Sequence, residues 1–216
     1  MQGEIVLLEC GMTDETLDLD QMDFFARTEG LKIEDICDDL SLLRFIDVES
    51  SGLGKESYPI EYGSCGLDLK PVSFLIGRRK DFSLSEWSVN SQNLHNITPG
   101  DLEEFGIDAN EAVHRIKRDL SPGIIALSDN PLHDTQWLSM LTPELGALDI
   151  YPVYLFLRHA QIAALERQGY ERLSQAAIRV QQQYLHLHRA GPDSLRAAAQ
   201  FRLLVDDEYV DAVLRN

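Results

Sequence analysis

Two acidic side chains, Asp47 and Glu49, stand two residues apart at the end of an apolar run, LLRFIDV, that reads as a strand. Period-two geometry puts both carboxylates on one face of that strand. Like charges so close repel, and burying them unpaired is costly or forces protonation. A divalent cation resolves the conflict. Mg2+ and Mn2+ take hard oxygen ligands, keep part of their water shell and need only a few carboxylates drawn from separate elements. The competing reading is a strand end that emerges into solvent, and the pair taken alone favours that reading.

Three other stretches invite chemical readings. SGLGKES contains Gly-Lys but is not a phosphate-binding loop: Glu49 stands at the first glycine position, Glu56 follows the lysine, and Pro59 interrupts the expected helix. DETLDLDQMD is not a calcium loop, because Asp23 replaces the obligatory glycine and Met22 occupies a ligand position. His186 and His188 form a His-x-His pair that suggests a zinc site, a reading the sequence disfavours against His188 acting as a base. On a helix the two would point about 200° apart, and on a strand they would supply only two ligands, so His186 is expected to be structural or to lie on a rim.

The elements that must position these residues are legible as patterns. LLRFIDV, YPIEYGSCGL and PVSFLIG predict three closely spaced strands in a meander. TPGDLEEFGIDANEAVHRIKRDL predicts a helix opened by Thr98 or Asp101 and stopped by Ser121-Pro122-Gly123. GIIALSD predicts a strand covered on both faces, LHDTQWLSML a helix, and ALDIYPV a fifth strand. The remainder predicts helix, ending in one long helix over SLRAAAQFRLLVDDEYVDAVL that starts at Pro192 and Asp193. Strands first, then alternating helix and strand, predict an α/β domain with helices against a mixed sheet. Before it, the spacing of Leu17, Met22, Phe25, Ile33, Ile36 and Leu40 suits two short amphipathic helices.

The phrase D-V-E-S-S-G-L at 47–53, followed by P-I-E-Y-G at 59–63, resembles the first motif of the DEDDh 3′–5′ exonucleases. This is the DnaQ-like family of proofreading subunits, ribonuclease T and oligoribonuclease, in which the motif reads D-x-E-T-T-G-L and I-x-E-I-G. SDNPLHDTQWL is similar to the family's second motif, H-N-x-x-F-D, with Asn130 and Asp134 at the matching offset. HRAGPD resembles the third, H-x-A-x-x-D, and supplies His188 and Asp193. LHNITPGDLEEFGI at 94–107 looks like the family's H-G-I-T segment. Asp129 replaces the usual His before Asn130, and His133 the usual aromatic before Asp134. Asp129 is thus a second acid for the third carboxylate position, and the spacing favours Asp134.

The resemblance implies a ribonuclease H-like mixed five-stranded sheet flanked by helices, over residues 42–216, with residues 1–41 as an acidic N-terminal extension. It implies that Asp47, Glu49, Asp134 and Asp193 hold two divalent metal ions, Mg2+ or Mn2+, about 4 Å apart across a scissile phosphate, with His188 as general base. It places Ser50, Gly52, Leu53 and Asn130 against the terminal nucleotide. The implied activity is hydrolysis of single-stranded DNA or RNA 3′ ends to nucleoside 5′-monophosphates, and a homodimer is a state found among such relatives. The alternative is an interaction or regulatory protein built on an exonuclease fold, against which the complete set of five costly polar residues argues.

Charge limits how such a protein meets nucleic acid. The chain carries a net charge of −17, and residues 1–43 hold 12 Asp/Glu against 2 Lys/Arg, so −10 lies in that segment and −7 in the rest. Two bound divalent ions would leave the larger part near −3, which does not forbid an anionic substrate. Weak non-specific attraction favours short oligonucleotides or delivery by a partner. Arg78-Arg79-Lys80 and Arg115-Lys117-Arg118 are candidate phosphate contacts, or surface clusters. Residues 1–43 are expected to be a docking surface for a protein partner, a lid over the cleft, or a solubilising cap. The longest apolar run, IYPVYLFL, is too short to span a bilayer. Cys10, Cys37 and Cys65 show no CxxC spacing and read as reduced thiols in a cytoplasmic protein.

Overall fold

The computed structural model describes residues 38–215. Except for Leu40, the stretch expected to form two amphipathic helices lies outside the described residues, as do DETLDLDQMD, Cys10, Cys37 and the extension's role as lid, cap or partner surface. After a single 3-10 turn at Leu40–Leu42, five strands follow: β1 (Leu43–Ser50), β2 (Pro59–Cys65), β3 (Val72–Leu75), β4 (Ile125–Ser128) and β5 (Ile150–Pro152). They form one mixed sheet in the order β3-β2-β1-β4-β5. β2 runs antiparallel to β1 and β3 antiparallel to β2, which is the predicted meander. β4 and β5 extend the sheet in parallel.

Alternation along β1 divides the core. Leu43 and Phe45 face α6 (Tyr154–Gln168), α7 (Tyr170–Gln183), α8 (Ala190–Val205) and α9 (Asp207–Arg215), packing with Phe156, Leu173, Val180, Phe201 and Val210. Ile46 and Val48 face α2 (Pro99–Phe105), α3 (Ala109–Asp119) and α4 (Pro131–Leu141), packing with Leu102, Ile116 and Leu138. β1 thus lies between two helical layers, which is why its sequence is nearly all apolar until Asp47. The α/β class and the mixed five-stranded sheet agree with the sequence expectation.

Two predicted helices are divided, for identifiable reasons. Residues 99–119 form α2 and α3, because Gly106 is extended and Ile107 leaves the helix to bridge Ile76 on the sheet edge. A Cβ at Gly106 would sit 2.3 Å from the Leu102 carbonyl oxygen and 2.7 Å from Gly77, so only glycine allows that crossing. Asp108 then accepts from the Asn110 and Glu111 amides and starts α3 afresh. The final helix begins three residues early, at Ala190, and breaks at Asp206, whose extended backbone ends α8 while its carboxylate accepts from the Tyr209 amide.

The segment that looks like H-G-I-T closes α1 (Val89–His95): Asn96 takes the left-handed conformation, and Thr98 opens α2 with a reciprocal capping box to Asp101. α5 is a single turn at Pro143–Gly146. Cys65 is a free buried thiol, pushed up to about 12 chiefly by desolvation. Among the described residues no helix is long and apolar enough to cross a membrane.

Candidate active site

Asp47 and Glu49 continue the face of β1 that carries Leu43 and Phe45. Across the ladder, Asp47 is level with Gly63 on β2, and Gly63 is level with Ser73 on β3. Gly63 has no side chain because α8 rests on it: a Cβ there would lie 2.1 Å from the carbonyl carbon and oxygen of Ala190. Gly191 is equally tight, its missing Cβ falling 2.6 Å from Ser73 Oγ. Two glycines therefore let the first turn of α8 lie on the sheet and carry Asp193 to Asp47 and Glu49. One carboxylate oxygen from each of the three lies within 4.8 Å of the others.

Asp193 also organises the chain before it. Its Oδ1 accepts from the Leu187 amide at 3.0 Å and its Oδ2 from the Arg189 amide at 3.0 Å. Between them His188 is left-handed, with φ 50°. This brings the His186 and His188 rings to 4.1 Å between centroids, and His186 Nε2 to 3.4 Å from Asp193 Oδ2. The expectation that His186 is structural or lies on a rim considered a helix, where the rings diverge, and a strand, which lacks a third ligand; residues 185–189 are neither. His186, His188 and Asp193 form a second group whose ligand atoms all lie within 4.8 Å of one another.

Asp134 is buried in the first turn of α4 and stands in neither group. Its carboxylate accepts from the Ser128 hydroxyl and the Val48 amide. β1 has outrun β4 at that point, since their pairing ends at Phe45 and Leu127, so the carboxylate serves an amide that has lost its strand neighbour. Asp129 is exposed, but it lines a small cavity of about 30 Å³ together with Asp47 and Asp193. Both acids weighed for the third position therefore approach the pair from β4 and α4.

The electrostatics are those of crowded carboxylates. Desolvation, then Asp134, Glu49, Asp129 and Asp193, holds Asp47 well above the usual carboxylate range. Glu49 is raised to about 7 by desolvation, Glu61 and Asp193, against the Arg189 guanidinium. Asp134 is raised well above its ordinary value chiefly by desolvation. The His188 imidazole is lowered by desolvation and by His186, with Asp193 opposing. An all-oxygen donor set that retains protons when no cation is near fits hard divalent ions.

The residues expected to touch substrate divide in two. Ser50 and Ser51 are buried and engaged within the turn: the Ser50 hydroxyl donates to the Gly52 carbonyl at 2.6 Å, and Ser51 Oγ accepts from the Tyr58 amide. Gly52 is also buried, and Ser57 and Ser88 occupy the space a side chain would need. Leu53 is 76% exposed. Asn130 is exposed at the start of α4 and makes no side-chain cap there. Of the basic clusters, Arg78 donates to the Phe82 carbonyl, and Arg79 to Asp81 and to the Met140 and Leu141 carbonyls. Arg115 pairs with Glu111, and with Arg118 and Arg44 it lines a cleft of about 370 Å³.

Sequence reasoning left Glu61 and Arg189 out of the site. Arg189 grips Glu61 through two nitrogens at 2.8 and 2.9 Å, and the Ala190 amide donates to Glu61 Oε2 at 2.9 Å. Glu61 is the acid of P-I-E-Y-G, a charge on an otherwise apolar strand; that was the available signal. Nothing in the spacing pointed to its partner 128 positions away.

No protein-family model matches this chain, and no curated protein matches it in sequence. Solved structures do. Exonuclease I from Methylocaldum szegediense superposes with a TM-score of 0.52 at 19% identity, over 81% of this chain and 43% of its own. E. coli exonuclease I in complex with a dT13 oligonucleotide gives 0.52 at 15% identity, over 77% of this chain and 41% of that one. The complex with a dA16 oligonucleotide gives 0.52 at 15%, over 79% and 42%. The chain thus spans about two fifths of the length of the proteins it matches. At such identities the likeness defines architecture: a ribonuclease H-like α/β sheet shared with exonuclease I.

Proposed function

We propose that this chain is a metal-dependent 3′–5′ exonuclease that removes nucleoside 5′-monophosphates from single-stranded 3′ ends. One observation carries the reading: Asp47, Glu49 and Asp193, from a strand and a distant helix, converge within 4.8 Å beside His188. The oligonucleotides in the exonuclease I complexes support a single-stranded substrate.

Asp47, Glu49, Asp134 and Asp193 would hold the divalent ions, Mg2+ or Mn2+, which when bound lower the pKa of water and offset charge on the phosphate. His188, its basicity lowered by desolvation and His186 against the opposing pull of Asp193, takes the proton of the attacking water at a ring nitrogen. Asp193 fixes that imidazole indirectly, through the Leu187 and Arg189 amides on either side of it. The Ser50–Gly52 turn, closed on itself by the Ser50 hydroxyl, presents Leu53 to the last base, and Asn130 faces the same end from α4.

The test uses end-labelled single strands of DNA and RNA incubated with Mg2+ or Mn2+. Stepwise shortening from the 3′ end is expected, abolished in Asp47→Ala and reduced by orders of magnitude in His188→Ala. Strands that never shorten at any metal concentration overturn the reading in favour of a non-catalytic interaction protein on this fold.

A further inference from the structure

His186 has no part in the chemistry above, yet it belongs to a compact group with His188 and Asp193. A helix would keep a His-x-His pair apart, and a strand would leave it without a third ligand. Here the left-handed turn at His188 folds the two rings together at 4.1 Å, and the amides of Leu187 and Arg189 anchor the carboxylate they face. Two imidazoles and one carboxylate, with a fourth position for water, are the ligand set of a borderline ion such as Zn2+ rather than Mg2+. Zinc–ligand bonds of about 2 Å place tetrahedral ligand atoms roughly 3.3 Å apart. His186 Nε2 and Asp193 Oδ2 are already at 3.4 Å, and His186 is exposed on a loop that can close the rest.

We propose that His186, His188 and Asp193 bind Zn2+ at a site that shares Asp193 with the hard-ion group, and that occupation withdraws the His188 imidazole from proton transfer. Zn2+ is then an inhibitor that acts beside the hydrolytic ions. The inhibitory part rests on the exonuclease reading; the binding part does not.

The full-length, metal-free chain is titrated with Zn2+ against a chromophoric chelator, as wild type, His186→Asn and His186→Gln. Losing a ligand weakens binding at least as much as losing a supporting contact, so both variants are expected to lose about tenfold or more in affinity. The same proteins are assayed with Mg2+ and increasing Zn2+. Wild type is inhibited, whereas the variants keep wild-type activity without zinc and need at least about tenfold more Zn2+ for half inhibition. Equal Zn2+ affinity in wild type and both variants overturns the site. Equal inhibition of all three overturns the inhibitory role and places the effect at the carboxylates. A chain that binds Zn2+ through His186 but never shortens a strand overturns the exonuclease reading and the inhibition, and leaves the ion site standing.

Discussion

Arg189 and Glu61, 128 positions apart, meet in a two-pronged ion pair that fastens the start of α8 to the middle of β2. The Glu61 side chain is 4% exposed and that of Arg189 38%. Removing the guanidinium leaves a buried charge with only the Ala190 amide to serve it. Arg189→Met is therefore expected to cost about 2–3 kcal/mol, below the 3–5 typical of a fully buried pair because Arg189 is partly in water. Adding Glu61→Gln removes the stranded charge, so the double variant is expected to be more stable than Arg189→Met alone. Urea unfolding decides; two independent, additive losses would show that the pair does not act as a unit.

The carboxylates make stability depend on pH in an uncommon direction. Glu49 titrates near 7 in the folded chain against an ordinary value of 4.5, so folding favours its protonated form. That contribution, on the order of 3 kcal/mol, is complete below about pH 4.5 and disappears as pH rises through 7. Asp47 and Asp134, also raised, act with the same sign. The metal-free protein is expected to lose melting temperature across that window, and saturating Mg2+ or Mn2+ to abolish the loss by replacing the protons. Glu49→Gln should flatten the metal-free profile; an unchanged slope in that variant would assign the effect to other groups.

Gly63→Ala places a methyl group 2.1 Å from the Ala190 carbonyl, so α8 must move. We expect a loss of about 1–3 kcal/mol, together with a fall in divalent-ion affinity, because Asp193 moves with the helix. Gly100→Ala, in α2, meets only Thr98 Oγ1 at 3.6 Å and should be neutral or slightly stabilising. Calorimetric titration with Mn2+ on both variants separates the helix displacement from a general glycine effect.

Leu53 is exposed and makes little contribution to the core. Leu53→Ala should alter stability by no more than about 0.5 kcal/mol. Its expected effect is a several-fold higher KM for single-stranded oligonucleotides. A fall in activity that merely follows a fall in melting temperature would make Leu53 a structural residue instead.

The strands and the sheet class were legible because β4 carries a short apolar run and β1 one interrupted only by Arg44 before it changes character at Asp47. The divided helices were not. Gly106 sits in a sequence of good helical period, and only the sheet edge that Ile107 joins reveals why the helix stops. In the candidate site, the spacing of Asp47 and Glu49 drew attention without deciding, and only the likeness of D-V-E-S-S-G-L and HRAGPD to family motifs linked that pair to His188 and Asp193. The closeness of His186 was hidden, since it depends on a positive φ at His188, a conformation uncommon for any residue but glycine even though histidine adopts it more often than most. The Glu61–Arg189 pair was hidden for another reason: periodicity describes neighbours along the chain, and this contact joins one sheet strand to the last helical layer.

Half of the acidic constellation is made early in the chain and half late. During synthesis Asp47 and Glu49 leave the ribosome well over a hundred residues before the glycine-lined docking of Ala190 can occur. A copy that stops short of Ala190 lacks Asp193 and so can assemble neither three-residue group. If the exonuclease reading holds, copies that stop short of α8 are expected to leave single strands uncut.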